Sequence, residues 1–224
     1  MDVVHEGPFA LSIGLGGDAL NVNLVILAIF QEGEWKEVYL VVTPCEVRGQ
    51  FAAEQLGITD KTAKKYVDYL CQAFLIQLLT RHSFKSKERI RNQKAYIVDT
   101  GLQGNRDNAL APENLGWRLE NAVYIELLRR CAHDFLDVFY HKPAPRAKEI
   151  DFVVCDQNKT VELIQVAYEI DSPKTYDRET SSLVKAADAL SCDRLTLIAF
   201  SPTREIVVDG KTIHFVSAME WLLQ

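Results

Sequence analysis

Apolar and polar positions change period along the chain, and each change marks an element. The clearest helical period is in "PENLGWRLENAVYIELLRRCA", where Leu115, Leu119, Ala122, Val123, Leu127 and Cys131 form a 3.6-residue stripe. Glu120 sits beside that stripe, so its carboxylate falls at the edge of a buried face. Strand patterns follow in "LDVFYHK", "EIDFVVCD" and "TVELIQVAYEI", and a fourth in "RLTLIAFS". Between the third and fourth strands, Ser172 supplies an N-cap and Pro173 a first helical residue, predicting a helix that ends near Leu190. "REIVVDGKTIHFV" predicts a hairpin whose Asp209-Gly210 pair suits a type I′ turn, and "SAMEWLL" predicts a short closing helix.

Upstream, "FAAEQLGITDKTAKKYVDYLCQAFLIQLL" starts with a short helical pattern at Phe51, Ala52, Gln55 and Leu56, which Gly57 stops. Thr59 or Asp60 then caps a second helix with apolar positions Ala63, Tyr66, Val67 and Leu70. "FLIQLLT" and "KAYIVD" read as two strands joined by the loop "RHSFKSKERIRNQ". Helix, turn, helix and a two-stranded ribbon predict a winged helix-turn-helix. Residues 1–49 are less legible. "KEVYLVVTP" predicts a strand ended by Pro44, and "GLGGD" predicts a turn, because neither a Walker lysine nor a GxGxxG pattern completes it.

Charge sharpens the reading of the winged-helix segment. The whole chain carries a formal net charge of −6, which excludes a uniformly basic nucleic-acid binder. Residues 61–94 nevertheless hold nine Lys or Arg (Lys61, Lys64, Lys65, Arg81, Lys85, Lys87, Arg89, Arg91 and Lys94) against Asp68 and Glu88. Such asymmetry is the footprint of a phosphate-binding surface, and Lys61, Lys64 and Lys65 fall on the solvent face of the second helix. The alternative is a solvated face that only packs domains together.

The remaining chemistry is sparse. Cys45, Cys71, Cys131, Cys155 and Cys192 form no CxxC pair and predict reduced thiols in a cytoplasmic protein. The longest apolar run, "LVILAIF", is too short for a bilayer, which takes roughly 20 residues. The N-terminus has no basic stretch ahead of an apolar one, so neither a signal peptide nor a membrane partner is expected.

The order helix, three strands, helix, strand resembles the core of the PD-(D/E)XK nuclease superfamily. The wording of "LGITDKTAKKYVDYLCQAFLI", "KAYIVDTGL", "GWRLENAVYIELLRR", "EIDFVV", "LIQVAYEI" and "DRE" resembles, more narrowly, the C-terminal half of a prokaryotic family of predicted AAA+ ATPases. In that family an ATPase domain precedes a winged helix and a nuclease-like domain of unknown function. The resemblance covers about residues 50–224. It implies a metal site built from a helix acid, a second-strand Asp and a third-strand acid-x-Lys, holding Mg²⁺. Those positions fall on Glu120, Asp151, Gln165 and Ala167, so the third acid and the lysine are replaced. Glu149 shares a face with Asp151, and Gln165 with Ala167. Arg178, Glu179, Lys142 and Lys148 are the candidates to supply the missing charge.

The expected fold is therefore α/β: an uncertain segment at 1–49, a winged helix at 50–100, and a restriction-endonuclease-like domain with a mixed central sheet at 101–224. The expected function is DNA binding through Lys61, Lys64, Lys65, Lys85, Lys87, Arg89 and Arg91, with a degenerate nuclease-like domain as a binding or regulatory module of a truncated ATPase-family protein. Two alternatives stand beside it. One is an active Mg²⁺-dependent endonuclease using Glu120 and Asp151. The other is a non-enzymatic module that forms homo-oligomers or meets a separate ATPase. No ATP site or ATPase activity is expected of this chain.

Overall fold

A computed structural model describes the backbone of residues 24–31 and 34–41, and residues 60–83, 85, 89, 93–100, 112–144 and 147–224, the side chains at 60, 62, 63, 66 and 112–114 excepted. Strands β1 (Leu24–Gln31) and β2 (Glu34–Val41) pair antiparallel, Leu24 opposite Val41 and Gln31 opposite Glu34. The apolar run at 24–30 is thus a strand that the sequence pattern did not predict. The short helix expected at 51–56 lies outside the described residues, as do Pro44, Cys45 and the "GLGGD" turn.

Helix α1 (Asp60–Gln72) precedes a hairpin of β3 (Ile76–Thr80) and β4 (Gln93–Ile97), with Ile76 opposite Ile97 and Thr80 opposite Gln93. Val67 and Leu70 of α1 bury against Ile76, Ala95 and Ile97, forming a small core. Lys61, Lys64 and Lys65 are on the exposed side of the same helix. One helix therefore separates an apolar face from a basic one, as its period requires.

The larger unit is a six-stranded sheet in the order β5-β6-β7-β8-β10-β9, built from Asp137–His141, Ile150–Asp156, Lys159–Ala167, Leu195–Ala199, Lys211–Ser217 and Arg204–Val208. Strands β7 and β8 run parallel, as do β8 and β10, while the other neighbours are antiparallel, so the sheet is mixed. Its five-residue β8 is buried throughout, which is why "LTLIA" reads as a continuous apolar run rather than an alternation.

Helix α2 (Pro112–Asp134) covers one face through Leu119, Val123, Tyr124, Leu127 and Cys131, together with Trp221 of α4 (Ala218–Leu222). Helix α3 (Pro173–Leu190) covers the other through Leu183, Val184, Ala186 and Ala187. Ser172 caps α3 as its sequence predicts, accepting a hydrogen bond from Thr175 N at 3.1 Å. Asp209 and Gly210 both take positive φ, 49° and 78°, as the β9–β10 type I′ turn requires.

Leu79 and Tyr96 of the hairpin share the α2-side core with the sheet. Asn121 fastens this junction: its Oδ1 accepts from Ile97 N at 2.9 Å and its Nδ2 donates to Ile97 O at 2.8 Å. An isolated parallel bridge joins Arg81 to Tyr140, and His82 N donates to Tyr140 O at 2.7 Å. The hairpin is thereby an extension of the packed body, and β4 approaches the first strands of the sheet. No described helix is long and apolar enough to cross a membrane. Cys71, Cys131, Cys155 and Cys192 are unpaired, and the last three are buried.

Candidate functional site

At the end of the β6–β7 ladder two carboxylates, Glu120 and Glu149, close on a lysine, and a third, Asp151, lies near enough to feel its charge. The ladder sets Phe152 opposite Ile164, which brings Asp151 level with Gln165 one step on. The Asp151 Oδ2 accepts from Val166 N at 2.9 Å and so satisfies a backbone donor on the neighbouring strand. Glu120 arrives from the middle of α2, and Glu149 from the residue before β6. The cation among them is Lys94, from β4. Its Nζ lies 3.1 Å from Glu120 Oε1 and in direct contact with Glu149 Oε1, and the residue is only 3% exposed. Tyr96 donates its hydroxyl to the same Glu120 oxygen at 2.6 Å. Lys142 reaches within 3.6 Å of Glu149 Oε2.

This placement corrects one reading of the sequence. Lys94 does not belong to the exposed basic surface with Lys61, Lys64 and Lys65; it points into the protein. Lys94 and Tyr96 are two apart on β4, so both side chains leave the strand on one face. That face meets α2, where burying an ammonium demands charged partners. The usable signal was a lysine alternating with a core aromatic in a strand pattern. Its large charge-rich neighbourhood concealed it.

Among the other candidates, Gln165 is buried at 6% exposure, and its Oε1 has no hydrogen-bond partner among the described residues. Ala167 is also buried, as the alternation from Gln165 predicts. Arg178 donates from Nε to Glu179 Oε1 at 2.5 Å, so that pair is internally matched on α3. Lys148 donates to the Arg178 carbonyl at 3.3 Å. Of the proposed charge donors, Lys142 borders the cluster; the cation that enters it, Lys94, was not among them. Lys85 and Arg89 are exposed, the latter 4.8 Å over the Phe139 ring, while Lys87 and Arg91 lie outside the described residues.

The electrostatics follow from burial. Burial by itself pushes the Lys94 ammonium down, but Glu120, then Tyr96, Glu149 and Asp151, more than offset this and hold it well above the usual lysine range. Burial pushes the Asp151 carboxyl well up, and Glu120 adds to the shift, while Lys94 and the Val166 N–H oppose it. The Tyr96 hydroxyl is raised by burial and by Glu120, so it stays a donor. One ammonium bonded to two carboxylates and near a third explains both directions: the lysine is held charged, and the acid it does not bond favours its proton.

Mg²⁺ wants oxygen ligands in near-octahedral order with several waters retained. Among the described residues no group of three or more His, Cys, Asp and Glu is arranged to hold a metal ion. With Lys94 bonded to Glu120 and Glu149, this donor set does not fit Mg²⁺.

A second cluster bears on pH. His141 has neither ring nitrogen hydrogen-bonded among the described residues, and its ring lies 6.1 Å from that of His82. Burial, then His82 and Arg81, lower its pKa from 6.5 to about 4. His82 is lowered as well, by burial and then Arg89. Both groups favour the neutral form in the folded state. The stability each contributes is complete above pH 6.5, and that of His141 is lost as pH falls towards about 4. The urea midpoint is therefore expected to drop across that window. His141→Leu should flatten the drop; an unchanged profile would remove His141 as its source.

The fold and site define a mixed α/β protein in which a hairpin lysine bonds two carboxylates at one end of the β6–β7 ladder. A domain of unknown function, DUF8612, matches residues 47–110, the span that contains α1, β3 and β4. The chain is 31% identical over 187 residues to an uncharacterised protein of Haemophilus influenzae, covering 82% of this chain and 42% of the relative. It is 34% identical over 165 residues to an uncharacterised protein of Methanocaldococcus jannaschii, covering 70% of this chain and 35% of that one. The chain thus matches less than half the length of either relative. No solved structure matches it significantly.

Proposed function

We propose that this is a cytoplasmic DNA-binding protein whose α1–β3–β4 unit is a winged helix. In this reading the following domain has a PD-(D/E)XK-like fold and serves as a binding or regulatory module rather than a nuclease. The resemblance to the C-terminal half of AAA+ family proteins belongs to the same proposal.

One observation carries it: the basic segment splits in two. Lys61, Lys64, Lys65, Lys85 and Arg89 face outward, where ammonium and guanidinium groups can meet phosphates. Lys94 faces inward and neutralises the carboxylates that metal-dependent hydrolysis needs open. Gln165 and Ala167 remove the other two groups that such chemistry uses.

The test is fluorescence anisotropy with labelled duplex and single-stranded DNA across a salt series. Binding should weaken linearly in log–log form, and the triple change Lys61→Ala, Lys64→Ala, Lys65→Ala should reduce the slope by about 2–3. Affinity that ignores salt, or no affinity at all, removes the reading. The charge of Glu120 acts on the Asp151 carboxyl, and this coupling favours a second reading, a metal-dependent nuclease. Plasmid cleavage in Mg²⁺ or Mn²⁺ that disappears in Asp151→Asn would favour it.

A further inference from the structure

We propose that the seam between the β3–β4 hairpin and strand β5 binds a tetrahedral oxyanion, a phosphoryl group, through His82, His141, Arg81 and Arg89. The proposal goes beyond the DNA-binding reading and does not need it. The seam shares only Arg89 with the outward basic set and includes none of Lys61, Lys64 and Lys65.

Backbone pairing brings the four side chains together. Arg81 bridges Tyr140 in parallel register, and His82 N donates to Tyr140 O at 2.7 Å, so the end of β3 runs beside β5. The His82 and His141 rings are then 6.1 Å apart between centroids. Phe139, two residues before His141, is a floor for the hairpin side: its ring centroid lies 5.7 Å from that of His82 and 4.8 Å from the Arg89 guanidinium carbon. Arg81 Nη2 donates to Pro143 O at 3.4 Å, two residues past His141. Two imidazoles and two guanidiniums thus meet along one edge strand of the sheet.

The charges that act on the two rings are all positive: His82 and Arg81 on His141, and Arg89 on His82. Lys85, from the same loop as Arg89, is exposed. The nearby carboxylates are placed elsewhere. Glu149 is bonded by Lys94 and approached by Lys142, and Asp137 stands at the start of β5 opposite Cys155. His141 bonds neither of them: both its ring nitrogens are buried with no hydrogen-bond partner among the described residues. A buried polar group left unpaired calls for a ligand or another explanation. Protonated, an imidazole offers two donors and a guanidinium five, and none of them accepts. An oxyanion is the complementary partner, and charge-assisted bonds of this kind are among the strong ones. Its negative charge also offsets the repulsion that keeps both rings neutral, so binding takes up protons.

The test follows the histidine ring Cε1–H resonances of the full chain by NMR as sodium sulfate is added, with sodium chloride at matched ionic strength as control. Sulfate keeps its charge across the pH range and stands in for the phosphoryl group. The His82 and His141 resonances should move together, and the His141 midpoint should rise from about 4 by at least about one pH unit. Sulfate affinity should tighten about tenfold per pH unit lowered between the free and bound midpoints. Arg89→Ala, a change at an exposed residue, should weaken it by at least about tenfold, the loss of one charge-assisted hydrogen bond. Shifts that chloride reproduces, or a His141 midpoint that sulfate leaves in place, overturn the proposal. Two further arms name the source of the phosphoryl group, using the Lys61→Ala, Lys64→Ala, Lys65→Ala chain so that α1 does not compete. Movement of both resonances with a short DNA duplex supports a phosphodiester at the seam, and movement with inorganic phosphate alone supports a small phosphorylated ligand. The sulfate arm contains no DNA, so failure here and failure of DNA binding are separate results.

Discussion

Lys94→Met lowers the unfolding free energy by about 3–5 kcal/mol, the scale of a buried pair broken on one side. The loss is not the strength of the two ion pairs. It is the cost of leaving Glu120 and Glu149 charged beside Tyr96 and the α2 core with no cation between them. A second change that removes charge rather than adding contact should therefore recover part of the loss. Glu120→Gln in the Lys94→Met background is expected to raise the urea midpoint, whereas Glu120→Gln alone lowers it. That sign reversal is what a double-mutant cycle reports for directly coupled groups. Additive losses in the cycle would mean that Lys94 and Glu120 do not act together.

The second large effect belongs to the aromatic column beneath the cluster. Phe152 is fully buried, stacked on Tyr124 at 5.8 Å between centroids and 6.1 Å from Tyr96. Phe152→Ala empties a position walled by two rings of different elements, α2 and β4, which cannot both collapse into it. The expected loss is about 3–5 kcal/mol, from transfer plus the cavity left behind. It should also loosen Tyr96, whose hydroxyl bonds Glu120, so hydrogen exchange at β4 should accelerate beyond the global change. A loss under about 1 kcal/mol would show that the site refills and that the column does not carry the junction.

These predictions depend on features of unequal visibility in the sequence. Elements whose signals are local could be read directly. Ser172 and Pro173 open α3 because a cap and a fixed φ act within one turn. Asp209-Gly210 turns the last hairpin because positive φ is a property of those two residues. The stripe from Leu119 to Cys131 places Glu120 beside a buried face because the helix period does so wherever the helix packs. Glu149 shares a face with Asp151, and Gln165 with Ala167, because strand alternation acts within each strand, whereas the register that sets Asp151 opposite Gln165 comes from pairing. The strand β1 was less legible: "LVILAIF" is an apolar run without alternation, and such runs do not distinguish strand from helix by period.

By itself, then, the sequence determined the order of elements from α1 onward, the mixed α/β class, the elements that carry the acids and the basic character of residues 61–94. Only the tertiary structure decided which of those basic residues is not on the surface. Lys94 and Glu120 are 26 residues apart, on a strand and a helix with separate local signals. Their meeting depends on how the β3–β4 hairpin docks against α2, through Asn121 and the shared core of Leu79 and Tyr96. Period and propensity specify the face of an element, not the partner brought to that face. The charge that the sequence seemed to lack beside Ala167 comes from outside the sheet. It is delivered by a docking event that long-range packing controls.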